Sequence, residues 1–109
     1  MATVYKVLGQ SNPAATTLTT AYTVPAATSA VISTITVSNL SASALTYRIA
    51  VRPAGAAIAN QHYVAFDTAL AANSTIAFTL GLTLATTDVI SVYASTTSAA
   101  FAIFGSEIS

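Results

Sequence analysis

The sequence contains few side chains that could carry out acid–base, nucleophilic or metal chemistry. Its one histidine is His62, its three acids are Asp67, Asp88 and Glu107, and cysteine is absent. A Ser–His–Asp triad needs a serine beside an oriented histidine, and none of the twelve serines sits in a Gly-x-Ser-x-Gly turn. The acids fall in separate turns or near the chain end, which argues against paired glycosidase carboxylates. We therefore expect a protein that is not an enzyme.

Metal, cofactor and phosphate sites are not predicted either. There is no Asp-x-Asp-x-Asp-Gly loop and no histidine pair, and the glycines are isolated from one another, which gives no phosphate-cradling loop. Asp88 precedes the apolar pair Val89-Ile90, so its carboxylate is expected to bond turn amides at the start of a strand. His62, within Gln-His-Tyr-Val, is expected on a strand face or in a subunit contact. The predicted cofactor set is therefore empty.

The tyrosines raise the possibility of a stacking surface. Such a surface could take sugars or single-stranded nucleic acid, although without basic neighbours the nucleic-acid interpretation is weak. Half-buried packing on a sheet is the interpretation we prefer. The five tyrosines are Tyr5, Tyr22, Tyr47, Tyr63 and Tyr93. Asn39-Leu40-Ser41 and Asn73-Ser74-Thr75 match the glycosylation pattern, but such matches arise by chance in a chain rich in serine and threonine.

Composition limits the possible partners. Charged residues make up 6% of the 109 residues, against about 25% in an ordinary soluble domain, and the net charge is zero. Nothing therefore attracts nucleic acid or an anionic membrane over distance. Residues 1–15 lack a signal-peptide layout, and no apolar run approaches the roughly 18 residues of a membrane span. We expect a soluble protein made in the cytoplasm, with much of its neutral surface covered by neighbouring molecules.

The hydrophobic pattern predicts strands throughout the chain. In Ala44–Arg52, alternate residues Leu45, Tyr47, Ile49 and Val51 share one face, which is typical of a half-buried strand. A second strand is predicted over Ser74–Leu84. Less regular strands are predicted over Thr3–Leu8, Thr17–Val24, Ala30–Asn39, Gln61–Phe66, Val89–Ala94 and Ala100–Phe104. About eight short strands separated by turns indicate an all-β fold, an antiparallel β-sandwich or jelly roll forming a single domain over residues 1–109.

The predicted core follows from these faces. It comprises Val31, Ile35, Val37, Leu45, Tyr47, Ile49, Val51, Ile76, Phe78, Leu80, Ile90, Val92 and Phe101. Alanine-rich Gly55–Ala59 and Thr68–Ala72 are the two places where a short turn of helix is expected.

The N-terminal segment is the predicted contact surface. Residues 1–15 are interpreted as a possible arm, in which Thr3–Leu8 adds a strand to the exposed sheet edge of a neighbour and the turn over 9–13 steers it away. The predicted partner-contact residues are Thr3, Val4, Tyr5, Lys6 and Val7. Because the chain has three cations, we expect this contact to be apolar and main-chain in character, and deletion of residues 2–12 to leave the sandwich folded.

Five stretches within residues 17–109 carry a resemblance to known proteins. They are Tyr22-Thr23-Val24-Pro25, Ile35-Thr36-Val37-Ser38-Asn39, Tyr47-Arg48-Ile49-Ala50-Val51, residues 82–94 and Phe104-Gly105-Ser106-Glu107. These stretches resemble small virion structural proteins of tailed bacteriophages, including cyanophages. Similar sequences often hold glycine in the turn before the aspartate, where this chain has Thr87. The resemblance implies a β-sandwich that forms symmetric homo-oligomers on a virion and has no catalytic residues.

Two classes of function follow as expectations. The first is a virion structural protein made in the host cytoplasm, above all a capsid cement or decoration protein, with a neck, tail or fibre component as the near alternative. Its partners would be other copies of itself, as a trimer or dimer, and virion proteins such as the major capsid protein. The second class is a carbohydrate-binding, lectin-like module, which the Ala-, Ser- and Thr-rich loops favour less.

Overall fold

The computed structural model describes residues 2–79 and 81–109, which form two antiparallel sheets packed face to face. The all-β sandwich expected from the sequence is confirmed. The strands of the described residues are β1 (Thr3–Ser11), β2 (Thr19–Thr23), β3 (Ser29–Asn39), β4 (Leu45–Arg52), β5 (Tyr63–Leu70), β6 (Thr75–Phe78), β7 (Leu82–Leu84), β8 (Val89–Ala94) and β9 (Ala99–Ile108).

The two sheets differ in size. The five-stranded sheet has the order β1-β9-β3-β6, with β7 also paired to β3, and the four-stranded sheet has the order β2-β8-β4-β5. Every pairing is antiparallel. Each sheet turns its apolar face inward, because alternate side chains on a strand point to opposite faces.

The core matches most of the predicted residues. Those that are fully buried are Ile35, Val37, Leu45, Tyr47, Ile49, Ile90, Val92 and Phe101. Val51 and Phe78 are partly buried and pack against this cluster. Ile76 was predicted in the core and is 36% exposed, since β6 is a short strand at the sheet edge. Leu80 lies outside the described residues.

A bulge in β3 explains another departure from the predicted core. The register with β9 shifts between Ile32 and Thr34, so one extra residue lies on β3 at this point. The shift turns both Ile32 and Ile35 inward. Val31, which was predicted in the core, alternates with Ile32 along the strand and is only half-buried. Opposite the bulge, a side chain at Gly105 would collide with the carbonyl oxygen of Val31, so this close approach requires glycine.

Three local predictions are corrected by the structure. The single strand predicted over Ser74–Leu84 is two short strands, with Gly81 between them at a left-handed φ of 62°. The helical turn predicted over Thr68–Ala72 does not form, because β5 continues to Leu70. In place of the turn predicted over Gly55–Ala59, short 3-10 turns occupy Pro53–Gly55 and Asn60–His62.

The N-terminal segment is an edge strand of the chain's own five-stranded sheet. β1 pairs with β9 along its length, from Thr3 opposite Ile108 to Ser11 opposite Phe101. The ladder continues beyond β1, since Ala2 and Ser109 exchange two backbone hydrogen bonds of 2.7 and 2.9 Å. In this structure, therefore, residues 2–11 of the segment interpreted as an arm form part of the sandwich.

Candidate functional site

The predicted contact residues lie together on the exposed half of β1. Val4 is 51% exposed, Tyr5 83% and Val7 49%, and Thr3 and Lys6 are also exposed. Apolar side chains of this size are normally turned inward, so a run of three on one strand is unusual for a free surface. We call residues 3–7 the open edge.

The open edge ends where the second sheet begins. Gly9 lies so close to the backbone of Ala21 on β2 that a side chain at Gly9 would collide with the Ala21 carbonyl. β1 thus passes close to β2 at Gly9, whereas Val4, Tyr5 and Val7 remain exposed, and among the described strands β1 pairs with β9 alone. Five residues of strand span about 17 Å, which is long enough to accept another strand.

A small polar cluster ties the open edge to both sheets. The Tyr22 hydroxyl on β2 donates a 2.6 Å hydrogen bond to Glu107 on β9, and the Lys6 ammonium lies 2.8 Å from the same carboxylate. Lys6 and Tyr22 together hold the pKa of Glu107 below its ordinary value. Burial, reinforced by the Glu107 carboxylate, raises the pKa of Tyr22. The charge of Lys6 is therefore compensated within the chain.

A second group of side chains lies on the outer face of the four-stranded sheet. The Arg48 guanidinium stacks on two aromatic rings, at 4.2 Å from the centre of Phe66 and 4.1 Å from the centre of Tyr93. Its Nε and Nη2 donate to the two carboxylate oxygens of Asp67, at 2.6 and 3.2 Å. This forked ion pair lowers the pKa of Asp67 and fixes the plane of the guanidinium.

A bulge in β5 makes this arrangement possible. Tyr47 pairs with Thr68 and Ile49 pairs with Ala65, so Phe66 and Asp67 together stand opposite Arg48. Asp67 has a left-handed φ of 46°, which aspartate tolerates better than most residues. The extra residue turns both Phe66 and Asp67 toward the same arginine, and such bulges commonly redirect side chains at functional sites.

Two aromatic rings beside the arginine form a corner that is open to solvent. Tyr63 and Phe66 meet edge to face, with ring centres 4.8 Å apart and planes at 80°. Together with Asn60 they line an open depression of about 470 Å³. Phe66 remains 53% exposed although it contacts both Tyr63 and Arg48. We call Asn60, Tyr63 and Phe66 the aromatic corner.

The remaining titratable side chains have structural roles. Asp88 accepts hydrogen bonds from the amides of Ala54 and Ala85, at 2.9 and 2.8 Å, as expected for an acid that orders turns. His62 is buried at the end of a 3-10 turn, where its Nδ1 accepts a 3.1 Å hydrogen bond from the amide of Ala59. Neither residue faces an open site of the kind formed by the aromatic corner.

The glycosylation-like match at Asn39 is also structural. Its side chain is buried and donates to the carbonyls of Ser43, Leu70 and Ala71 while accepting from Ser41. The amide thus joins two loops at one end of the sandwich.

The described residues show neither a metal-binding cluster nor a membrane-spanning helix. Residues 2–79 and 81–109 contain no group of three or more histidine, cysteine or acidic side chains placed to hold a metal ion. Within the same residues, no helix has the length and apolar character to cross a bilayer.

Comparisons of the chain with family models, with curated proteins and with solved structures found no match. The sequence indicated the open edge, since Thr3 to Val7 were the predicted contact residues. The sequence raised a tyrosine stacking surface that included Tyr63, but it did not indicate that Arg48, Phe66 and Tyr93 meet beside it, because these three residues come from strands whose pairing is not visible in the sequence. The one available signal was Arg48 on the polar face of its strand.

Proposed function

We propose that this chain is a non-enzymatic structural protein of a tailed-bacteriophage virion, a capsid cement or decoration protein that stabilises the head by oligomeric contacts with the shell. The observation that carries the proposal is the open edge, a stretch of strand that pairs with β9 on one side only among the described residues and exposes apolar side chains. An edge of this kind is a template for strand addition by another chain.

The charges of the chain support attachment without ion pairs. Lys6 is paired with Glu107 and Arg48 with Asp67, while Arg52 donates to the Ser91 hydroxyl and the Ala56 carbonyl. The remaining acid, Asp88, is bound to backbone amides. All six charged side chains thus make contacts within the chain, and four of them are paired in two internal salt bridges, which favours attachment through apolar and main-chain groups.

The internal contacts of the titratable side chains also support a non-enzymatic role. A catalytic acid or base must reach the reacting group of a substrate. Here His62 is buried against the backbone of its own turn and Glu107 is held by Lys6 and Tyr22. These groups serve the fold, which agrees with a structural protein.

The partners in this proposal are further copies of the chain, as a trimer or dimer, and virion proteins such as the major capsid protein. Strand addition at the open edge buries Val4, Tyr5 and Val7 and pairs main-chain groups that are otherwise solvated. Its affinity comes from apolar burial and backbone hydrogen bonds, so raising the salt concentration should weaken it little.

One variant pair tests the attachment. Tyr5→Lys places a charge on the open edge, which opposes strand addition, and the fold should tolerate it because Tyr5 is 83% exposed. Leu40→Lys is the matched control, since Leu40 is 65% exposed in a loop outside the edge. Sedimentation of the wild type should show an oligomer that Tyr5→Lys dissociates and Leu40→Lys retains. An unchanged oligomer in Tyr5→Lys would exclude the open edge as the contact.

The position on the particle is tested separately. Mass spectrometry of purified virions whose genome encodes this chain should detect it in an amount comparable to the major capsid protein if it decorates the head. A small fraction of that amount would instead favour the neck, tail or fibre alternative. Its absence from purified particles would refute the virion assignment.

A further inference from the structure

We propose that the aromatic corner, together with the neighbouring Arg48–Asp67 ion pair, is a binding site for a neutral saccharide. The site lies on the outer face of the four-stranded sheet, on different strands from the open edge, and the inference does not depend on the virion assignment. It rests on the shape, charge and hydrogen-bonding capacity of residues in β4, β5 and the turn that precedes β5.

The shape of the corner suits a sugar ring. A pyranose presents an apolar face of C–H groups and a rim of hydroxyls, and the electron-rich face of an aromatic ring attracts the slightly positive C–H groups. The perpendicular rings of Tyr63 and Phe66 provide two walls for such a ring, and the depression beside them is of the size of small-molecule sites, roughly 300–1,000 Å³.

The charge of the site favours a neutral ligand. Arg48 is the cation nearest the corner, and both of its donated bonds go to Asp67, which balances its charge. A phosphate or carboxylate ligand would have to compete with Asp67 for the guanidinium, and a cationic ligand would have to compete with Arg48 for the Asp67 carboxylate. A polyhydroxylated ligand without net charge meets neither obstacle.

Hydrogen-bonding groups are present at the rim of the corner. The Asn60 side chain is exposed and offers one acceptor and two donors. The Asp67 carboxylate accepts one bond on each oxygen from Arg48, and each oxygen retains capacity for another. These groups are complementary to sugar hydroxyls, which both donate and accept.

The site is also held rigid before a ligand arrives. Arg48 is fixed between the rings of Phe66 and Tyr93, and the β5 bulge fixes Phe66 and Asp67 on paired strands. A site built on strands loses little conformational freedom when the ligand binds, so less of the interaction energy is spent on ordering.

A glycan array followed by nuclear magnetic resonance titration of the full-length chain with the best neutral glycan tests the proposal. We expect binding, with the largest shifts at residues 60–67 and little dependence on salt. Phe66→Ala and Asn60→Ala should each weaken binding about tenfold or more, equivalent to about 1.4 kcal/mol. Asn60→Ala leaves the arginine contacts in place, so it separates ligand contact from local disorder. Leu40→Ala, at an exposed apolar residue in a loop outside both sites, is the matched control and should bind as the wild type does.

Several results would overturn the inference. Binding of no neutral glycan would do so, as would binding that both corner variants retain. Selective binding of acidic glycans that salt abolishes would show that an unpaired cation, and not the neutral corner, recognises the ligand. If the array is silent while Phe66→Ala disrupts association with another protein, the corner is a protein contact.

Discussion

The contact between Tyr22 and Glu107 predicts a measurable share of the stability of the sandwich. Tyr22 is buried on β2, and its hydroxyl donates a 2.6 Å hydrogen bond to the Glu107 carboxylate on β9 of the opposite sheet. A hydrogen bond to a charged partner contributes about 1.5–3 kcal/mol net. Tyr22→Phe keeps the ring and removes this bond, so it should lower the free energy of unfolding by about that amount.

Tyr47 provides a control of the same chemistry. It is fully buried, and its hydroxyl has no hydrogen-bond partner among the described residues. Removing a buried hydroxyl that lacks a partner relieves its desolvation cost. Tyr47→Phe should therefore be neutral to within about 0.5 kcal/mol or slightly stabilising.

Urea unfolding followed by far-ultraviolet circular dichroism at neutral pH measures both variants. The dependence of the unfolding free energy on urea should be unchanged, since neither substitution alters the surface exposed on unfolding. The reasoning would be refuted if Tyr47→Phe were as destabilising as Tyr22→Phe, because ring packing and not the hydroxyl would then explain both losses.

Acid provides a second test of the same contact. The Lys6 ion pair, and then the Tyr22 bond, hold the pKa of Glu107 in the folded chain below its ordinary value of 4.5. A lowered folded pKa stabilises the protein fully above the ordinary value, and the stabilisation is lost as the pH falls through the folded pKa. The difference in the free energy of unfolding between wild type and Tyr22→Phe should thus shrink as the pH falls below 4.5. A difference that stays constant as the pH is lowered further would contradict the role of the carboxylate.

Three further predictions concern the core and the backbone. Ile49→Ala should cost about 2–5 kcal/mol in urea unfolding, while Thr46→Ala on the opposite face should cost under about 1 kcal/mol, and the reverse order would mean the faces are misassigned. Gly105→Ala should leave the chain without a cooperative urea transition at 25 °C, or move the transition midpoint to a much lower urea concentration, because the added carbon would collide with the Val31 carbonyl. Thr87→Gly should stabilise the chain by about 1 kcal/mol, as Thr87 has a φ of 68° that a β-branched residue adopts at a cost, and an equal or lower unfolding midpoint would show that the turn is unstrained.

The period-two patterns correctly predicted the buried face of a strand where side chains keep their alternation along it. In β4, Leu45, Tyr47 and Ile49 are buried as predicted, since the strand keeps its alternation through them and sits in the middle of its sheet. In β3 the bulge between Ile32 and Thr34 reverses the phase, and the residues at that point are ordinary strand formers that do not mark a bulge. The predicted faces are therefore correct on one side of the bulge, for Ile35 and Val37, and inverted on the other, for Val31.

The candidate sites show that local sequence patterns also fail to predict contacts between residues far apart in the chain. Residues 3–7 are adjacent in the sequence, so their local pattern could predict a strand, but their pairing with β9 depends on the other end of the chain and was not predicted. Arg48 and Asp67 are 19 residues apart, and Tyr93 reaches the same guanidinium through the pairing of β4 with β8. The position of Asp67 opposite Arg48 depends on an unmarked bulge, so no local pattern could indicate the cluster.

The two sites have compatible positions. The open edge belongs to the five-stranded sheet, and the aromatic corner lies on the outer face of the four-stranded sheet. Strand addition at β1 uses main-chain groups in the plane of one sheet, while a ligand at the corner approaches the face of the other. Occupying one site therefore leaves the other accessible. If both proposals hold, Tyr5→Lys should remove self-association and retain glycan binding, whereas Phe66→Ala should do the opposite. A single variant that abolished both would show that the two surfaces are coupled through the oligomer.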